Sequence, residues 1–302
     1  MREYARQQTA LLLDRLSAVL TRAARAGDAD SIHDIRVAMR RLSRCLRIFA
    51  PFYADRSWKK IRRRIASLLA AAGAVRDCDI AIELLGRAGI ARRNAMVTHL
   101  AAQRRKAGRE LLAEIRRWKS HDYPQRWRDA LLSRAQRAPR KGAAPFRQPL
   151  PWNPRLSATL NARRHLPPMI GAYFTQVREL LATNPAPAEL HVIRLATKRV
   201  RYTLELFRPC YGRGLELRLA TLQRLQQLLG EINDCAAAER LIEGLVPASP
   251  VRRRAETFLR RRASAKATAL RREWRDNFDA PGREHWWLRY LASSASVRQP
   301  RL

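Results

Sequence analysis

Along residues 31–53, SIHDIRVAMRRLSRCLRIFAPFY, apolar side chains return every three or four positions. At about 100° per residue, Ile35, Ala38, Met39, Leu42, Cys45, Leu46 and Phe49 fall on one side of a helix. His33, Arg36, Arg40, Arg44 and Arg47 fall on the other, stepping by three, four, four and three. Residues 189–211, ELHVIRLATKRVRYTLELFRPCY, repeat the pattern. There the apolar side holds Ile193, Ala196, Thr197, Val200, Thr203, Leu204 and Phe207. The polar side holds His191, Arg194, Lys198, Tyr202 and Glu205, flanked by Arg199 and Arg201.

The same periodicity runs through most of the chain, and no segment alternates as a strand would. It predicts helices near 2–26, 31–49, 56–72, 75–87, 90–118 and 126–138. A second set follows near 155–182 (kinked at Pro167-Pro168), 187–207, 214–230, 232–245 and 250–278. The five prolines between Ala138 and Pro154 read as a linker. The expected organisation is a helical half over 1–138, a linker over 139–154, a second helical half over 155–279 and a tail over 280–302. Trp286 and Trp287 are placed to anchor that tail.

The two histidine helices align at an offset of 158, pairing His33 with His191, Arg36 with Arg194, Arg41 with Arg199, Pro51 with Pro209 and Tyr53 with Tyr211. Further on, 68–85 aligns with 225–242 at an offset of 157, pairing Gly73 with Gly230, Asp77 with Asp234 and Cys78 with Cys235. The fold expected is all-α and internally duplicated. Packing alone would preserve only the apolar positions. The repeat also keeps a histidine and cations, which directs attention to the polar face.

Composition sharpens this. The 302 residues include 61 Lys+Arg against 26 Asp+Glu, a formal charge of +35. Only seven of the cations are lysines, so arginine dominates, and part of that bias can reflect base composition. Self-repulsion on this scale is relieved by a polyanion: DNA, RNA, an anionic membrane surface or inorganic polyphosphate. Arginine's fork of donors suits phosphate oxygens. At 46% hydrophobic residues the chain can bury a core. No run reaches the roughly 20 apolar residues a spanning helix needs, and Asp14 and Arg15 interrupt the one near the start, so no signal peptide or membrane insertion is expected. Cys45, Cys78, Cys210 and Cys235 are scattered, as in a reduced cytoplasmic protein.

Arg36, Arg40, Arg44 and Arg47 crowd about 16 Å of one helix face, where they repel one another. Phosphates strung along a chain turn that repulsion into attraction. A basic stripe opposite an apolar one is usually only a solvated face, but its duplication argues for a site. Each histidine is expected in a first helical turn, with Ser31 capping the first, where exposed N–H groups favour an anion. A plain helix-terminus hydrogen bond is the competing role for each. Asp77 and Asp234, expected to open helices after a glycine, either cap them or hold an arginine of the basic helix in position. No metal site is expected: Asp79 becomes Ala236 in the second copy, and the cysteines form no chelating pair. Other basic runs, such as KKIRRR at 59–64, read singly as solvated faces, and together as an extension of an electrostatic funnel toward the site. The chain shows no Gly-rich phosphate loop, no nucleophile–base pair and no carboxylate cluster for Mg²⁺, so no cofactor and no enzymatic activity are expected.

LHVIRLATKRVRYTLE (190–205), LQQLLGEIND (225–234), AGAVRDCDI (72–80) and, in the first copy, His33-Asp34, Arg36-Val37 and Arg40-Arg41-Leu42 resemble the CHAD family, the conserved histidine α-helical domain. The resemblance implies two pseudo-symmetric four-helix bundles with a basic channel between them that binds inorganic polyphosphate, and association with polyphosphate granules. It assigns phosphate contact to His33, Arg36, Arg40, Arg41, His191, Arg194, Lys198, Arg199 and Arg201. The shared helix face adds Arg44, Arg47 and Tyr202. Because Arg44 meets Tyr202 and Arg47 meets Glu205, the two sides are expected to bind unequally. Many relatives also carry a triphosphate-tunnel metalloenzyme domain marked by Glu-x-Glu-x-Lys. No two glutamates here are separated by one residue, so a stand-alone binding domain is expected. A nucleic-acid-binding protein is the alternative, although no DNA-binding motif is visible.

Overall fold

The computed structural model describes residues 1–26, 28–53, 57–132, 152–245 and 247–293. They contain ten α-helices and, among them, no strand. The first five are α1 (Arg2–Ala26), α2 (Ala29–Ile48), α3 (Ser57–Arg87), α4 (Ala95–Ser120) and α5 (Tyr123–Leu132). The second five are α6 (Ala158–Leu181), α7 (Pro187–Leu206), α8 (Gly214–Leu245), α9 (Pro250–Asn277) and α10 (Arg283–Ala292). The element order repeats with closely matched lengths. α2 and α7 each have 20 residues, and each is followed by a three-residue 3-10 turn containing a proline. α3 and α8 have 31 and 32, and α5 and α10 have 10 apiece.

Four helices expected as two pairs are in fact two. The breaks anticipated at Gly73 and Gly230 do not occur, and α3 and α8 run straight through them. A glycine inside a helix costs only about 1 kcal/mol. The apolar stripe of α3, Ile65, Leu68, Ala72, Val75, Cys78 and Ala81, stays in register across Gly73 and is wholly buried. That burial outweighs the glycine penalty. Pro167 and Pro168 likewise lie within α6 without ending it.

The chain forms two compact units. The amino-terminal unit comprises the described residues of Ala5–Ala143 and Asp234–Arg262. In it α3 packs against α2, α4 and α5. The buried Trp118 meets Trp127 edge-on at 5.1 Å. The carboxy-terminal unit comprises the described residues of Met1–Tyr4, Ala144–Asn233 and Ala263–Leu302. There α6 packs against α7 and α10, and Trp274 stacks on Phe278 at 4.9 Å. α1, α8 and α9 each contribute residues to both units.

Residues 139–151 of the expected linker, 133–138 of the expected sixth helix and 294–302 of the tail lie outside the described residues. Trp152, at the end of the linker segment, is buried and stacks on Phe207 at 5.3 Å. The start of the tail is ordered by α10. Trp287 is fully buried, and Arg218 of α8 lies 3.4 Å from the Trp286 ring centre and 3.7 Å from that of Tyr290.

Candidate functional site

The helix faces read from the sequence are largely those observed. All fourteen apolar positions assigned to the buried sides of α2 and α7 are buried. The helix starts differ from expectation. Asp28, not Ser31, caps α2: its carboxylate accepts the Ser31 N–H at 2.7 Å, while Ser31 is itself buried. At α7, the Glu189 carboxylate accepts the Ala186 N–H at 2.7 Å. His33 and His191 are each the fifth helical residue, just past the first turn in which they were expected. An acidic side chain thus stands at each helix N-terminus, where it complements the positive end of the helix dipole.

On α2, Arg36 reaches across to α3 and donates from Nη1 to the Ala72 carbonyl at 2.9 Å. It passes over Gly73, where a Cβ would lie 3.3 Å from Nη1. This contact marks the register at which α2 and α3 pack. Three residues before Arg36 stands His33, and three after Gly73 stands Arg76. Loss of surrounding water lowers the His33 pKa from its usual 6.5, and Arg76, Arg40 and Arg36 lower it further while Asp34 opposes them. Eleven residues after Arg36, about three turns, stands Arg47, and eleven before Gly73 stands Arg62. Burial lowers the Arg62 pKa, and Arg47 adds to the effect. Arg40, Arg41, Arg44 and Arg47 are all partly exposed along this line. The sequence reading missed Arg62 and Arg76. Their spacing of fourteen residues, equal to that of His33 and Arg47, is the signal that an antiparallel pairing would have used.

On α7, His191 Nδ1 lies 3.3 Å from Asn233 Oδ1, an arrangement in which the Nδ1–H donates. Asn233 of α8 holds the place of Arg76 at the offset of 157. Arg194 and Lys198 are partly exposed, and Arg199 is exposed. Tyr202, expected on the ligand face, is only 6% exposed and belongs to the core. At a hundred degrees per residue it lies about 160° from the centre of the apolar side, so its burial is decided by tertiary packing, which covers a large ring rather than leaving it solvated. Arg201 pairs with Glu205 at 3.0 Å, both side chains mostly buried.

Asp77 and Asp234 do not cap helices, since each lies inside one. The neighbouring Asp79 pairs with Arg104 of α4 at 3.0 Å. All four cysteines are free and buried, and burial pushes the Cys45 thiol up to about 12. Among the described residues no group of three or more His, Cys, Asp or Glu side chains is placed to hold a metal ion, and no helix is long and apolar enough to cross a membrane.

The sequence profile of the CHAD domain matches residues 7–243, from α1 to the end of α8. The chain belongs to the CHAD domain family. Among solved structures, the CHAD domain from the plant Ricinus communis superposes with a TM-score of 0.69 at 21% identity, covering 91% of this chain and 92% of that one. PptA from Streptomyces chartreusis superposes with a TM-score of 0.64 at 15% identity, covering 91% and 99%. At these identities the likeness is one of fold. No curated protein matches the sequence. Within this CHAD domain, α2 carries His33 and meets α3 through Arg36, and α7 carries His191 and meets α8 through Asn233.

Proposed function

We propose that this CHAD domain binds inorganic polyphosphate on the cationic faces of α2 and α7 and catalyses no reaction on it. The observation that carries the reading is the α2 row. Arg36 bonds to a backbone carbonyl, and burial together with the neighbouring cations disfavours the charged form of His33. Such a row gains most from a ligand that places many negative charges along one line. A flexible phosphate chain does so without base recognition. Burial of Tyr202 removes the one aromatic residue on these faces that could have stacked on a base, which favours polyphosphate over nucleic acid. Residence on polyphosphate granules in the cytoplasm is the cellular counterpart of this reading.

Titration of the full chain with long-chain polyphosphate, beside duplex DNA at equal phosphate concentration and moderate salt, tests the proposal. Tighter binding of polyphosphate is expected, with no release of orthophosphate when Mg²⁺ or Mn²⁺ is added. Equal affinity for the two polymers rejects the specificity, and metal-dependent phosphate release rejects the absence of catalysis.

A further inference from the structure

We infer that Arg62 and Arg76 of α3 contact the ligand, so that the amino-terminal unit binds along a two-helix groove about 21 Å long, from His33 and Arg76 to Arg47 and Arg62. The inference rests on the polyphosphate reading and names residues and a polarity that reading does not contain.

Arg62 is the first support. Its Nε–H is sealed from water and has no acceptor among the described residues. Its guanidinium leans on the Trp58 ring at 5.8 Å, and its electrostatic neighbour on α2 is another arginine, Arg47. A shielded donor without an acceptor, placed beside a like charge, costs stability in the free protein. An anion lying between Arg47 and Arg62 removes both penalties. The register is the second support. The Arg36–Ala72 hydrogen bond brings each end of the α2 row beside a cation of α3: Arg76 at His33 and Arg62 at Arg47. Arg40 and Arg44 fill the interval. α3 thus supplies the second wall of a groove whose first wall is α2.

The duplicated positions show what the groove needs. At the repeat offsets, Arg47 becomes Glu205, Arg62 becomes Leu219 and Arg76 becomes Asn233. Leu219 is buried, and Glu205 is taken up by Arg201 at 3.0 Å. The α7–α8 pair therefore has no cation at the positions equivalent to Arg47, Arg62 and Arg76, and its row centres on Arg194 and Lys198. The repeat-equivalent position of α8 holds a buried leucine, so arginine is not common to both copies of this position.

The test compares full-length wild type with Arg62→Leu, Arg76→Asn and the exposed control Arg63→Gln by titration with long-chain polyphosphate, alongside thermal melting without ligand. The first two substitutions copy the residues of the second half. Each is expected to weaken binding tenfold or more, against less than twofold for Arg63→Gln, and Arg62→Leu is expected to melt no lower than wild type. If wild type binds and all three variants lose affinity equally, the groove is overturned while the polyphosphate reading stands. If wild type does not bind, the reading itself falls, and the groove with it. Should Arg62→Leu fail to fold, Arg76→Asn alone decides: a loss no larger than that of Arg63→Gln overturns the groove.

Discussion

His33 and His191 occupy the same position of equivalent helices, yet different neighbours give them different chemistry. His191 meets the Asn233 amide, whereas His33 stands in the field of Arg76, Arg40 and Arg36, countered by Asp34, which itself pairs with Arg22 at 3.3 Å. Because the folded value of His33 is depressed, the free protein favours the neutral ring at neutral pH. Protonation then costs stability, so the ligand-free melting temperature should fall as pH drops below 6.5. A bound polyanion reverses the preference and raises the histidine's pKa. Polyphosphate affinity should therefore rise as pH falls below 6.5, with uptake of a proton, and His33→Gln should flatten the rise. Titrations between pH 5 and 8 check the sign. An affinity of wild type that is flat or falling in that direction contradicts it.

At the scale of the element, the informative helix is α3. Its glycine was read as a helix junction, and it is instead the crossing point of an arginine. The Gly73 Cβ position lies 3.3 Å from Arg36 Nη1, so Gly73→Ala forces the guanidinium to shift by a few tenths of an ångström. The same change removes a helix penalty of about 1 kcal/mol. The two effects have opposite readouts. Melting temperature should hold or rise, while polyphosphate affinity should fall a few-fold. A loss of both would mean that Gly73 serves packing rather than the placement of Arg36. The sequence reading divided α3 and α8 because glycine followed by aspartate imitates a helix end. What overrode that signal was the buried stripe from Ile65 to Ala81, whose continuity is visible only once its neighbours are in place.

For the molecule as a whole, +35 of formal charge guarantees some affinity for any polyanion, so the position of a charge matters more than the total. Counterion release predicts a log–log salt slope of about −0.7 for each phosphate neutralised on a single-stranded polyanion. Arg36→Ala combined with Arg194→Ala should weaken polyphosphate binding far more than Arg253→Ala combined with Arg261→Ala, both of the latter residues being exposed on α9. The slope should also become shallower by one to two contacts. Equal losses from the two pairs, measured by salt-dependent titration, would indicate diffuse charge without a site.

The sequence by itself determined the helical class, the two aligned motif pairs, the buried sides of α2 and α7 and the cationic positions opposite them. These follow from periodicity along a single helix, a local property that one stretch of chain carries. Tertiary structure decided the rest: that α3 and α8 are unbroken, that Tyr202 belongs to the core, that Asp28 rather than Ser31 caps α2, and that Arg62 and Arg76 stand beside Arg47 and His33. Each of these depends on which surface of a second helix lies opposite, at what register. No residue's own neighbours in sequence encode that register, which comes from the packing of two buried apolar faces and is marked by Arg36 lying over Gly73.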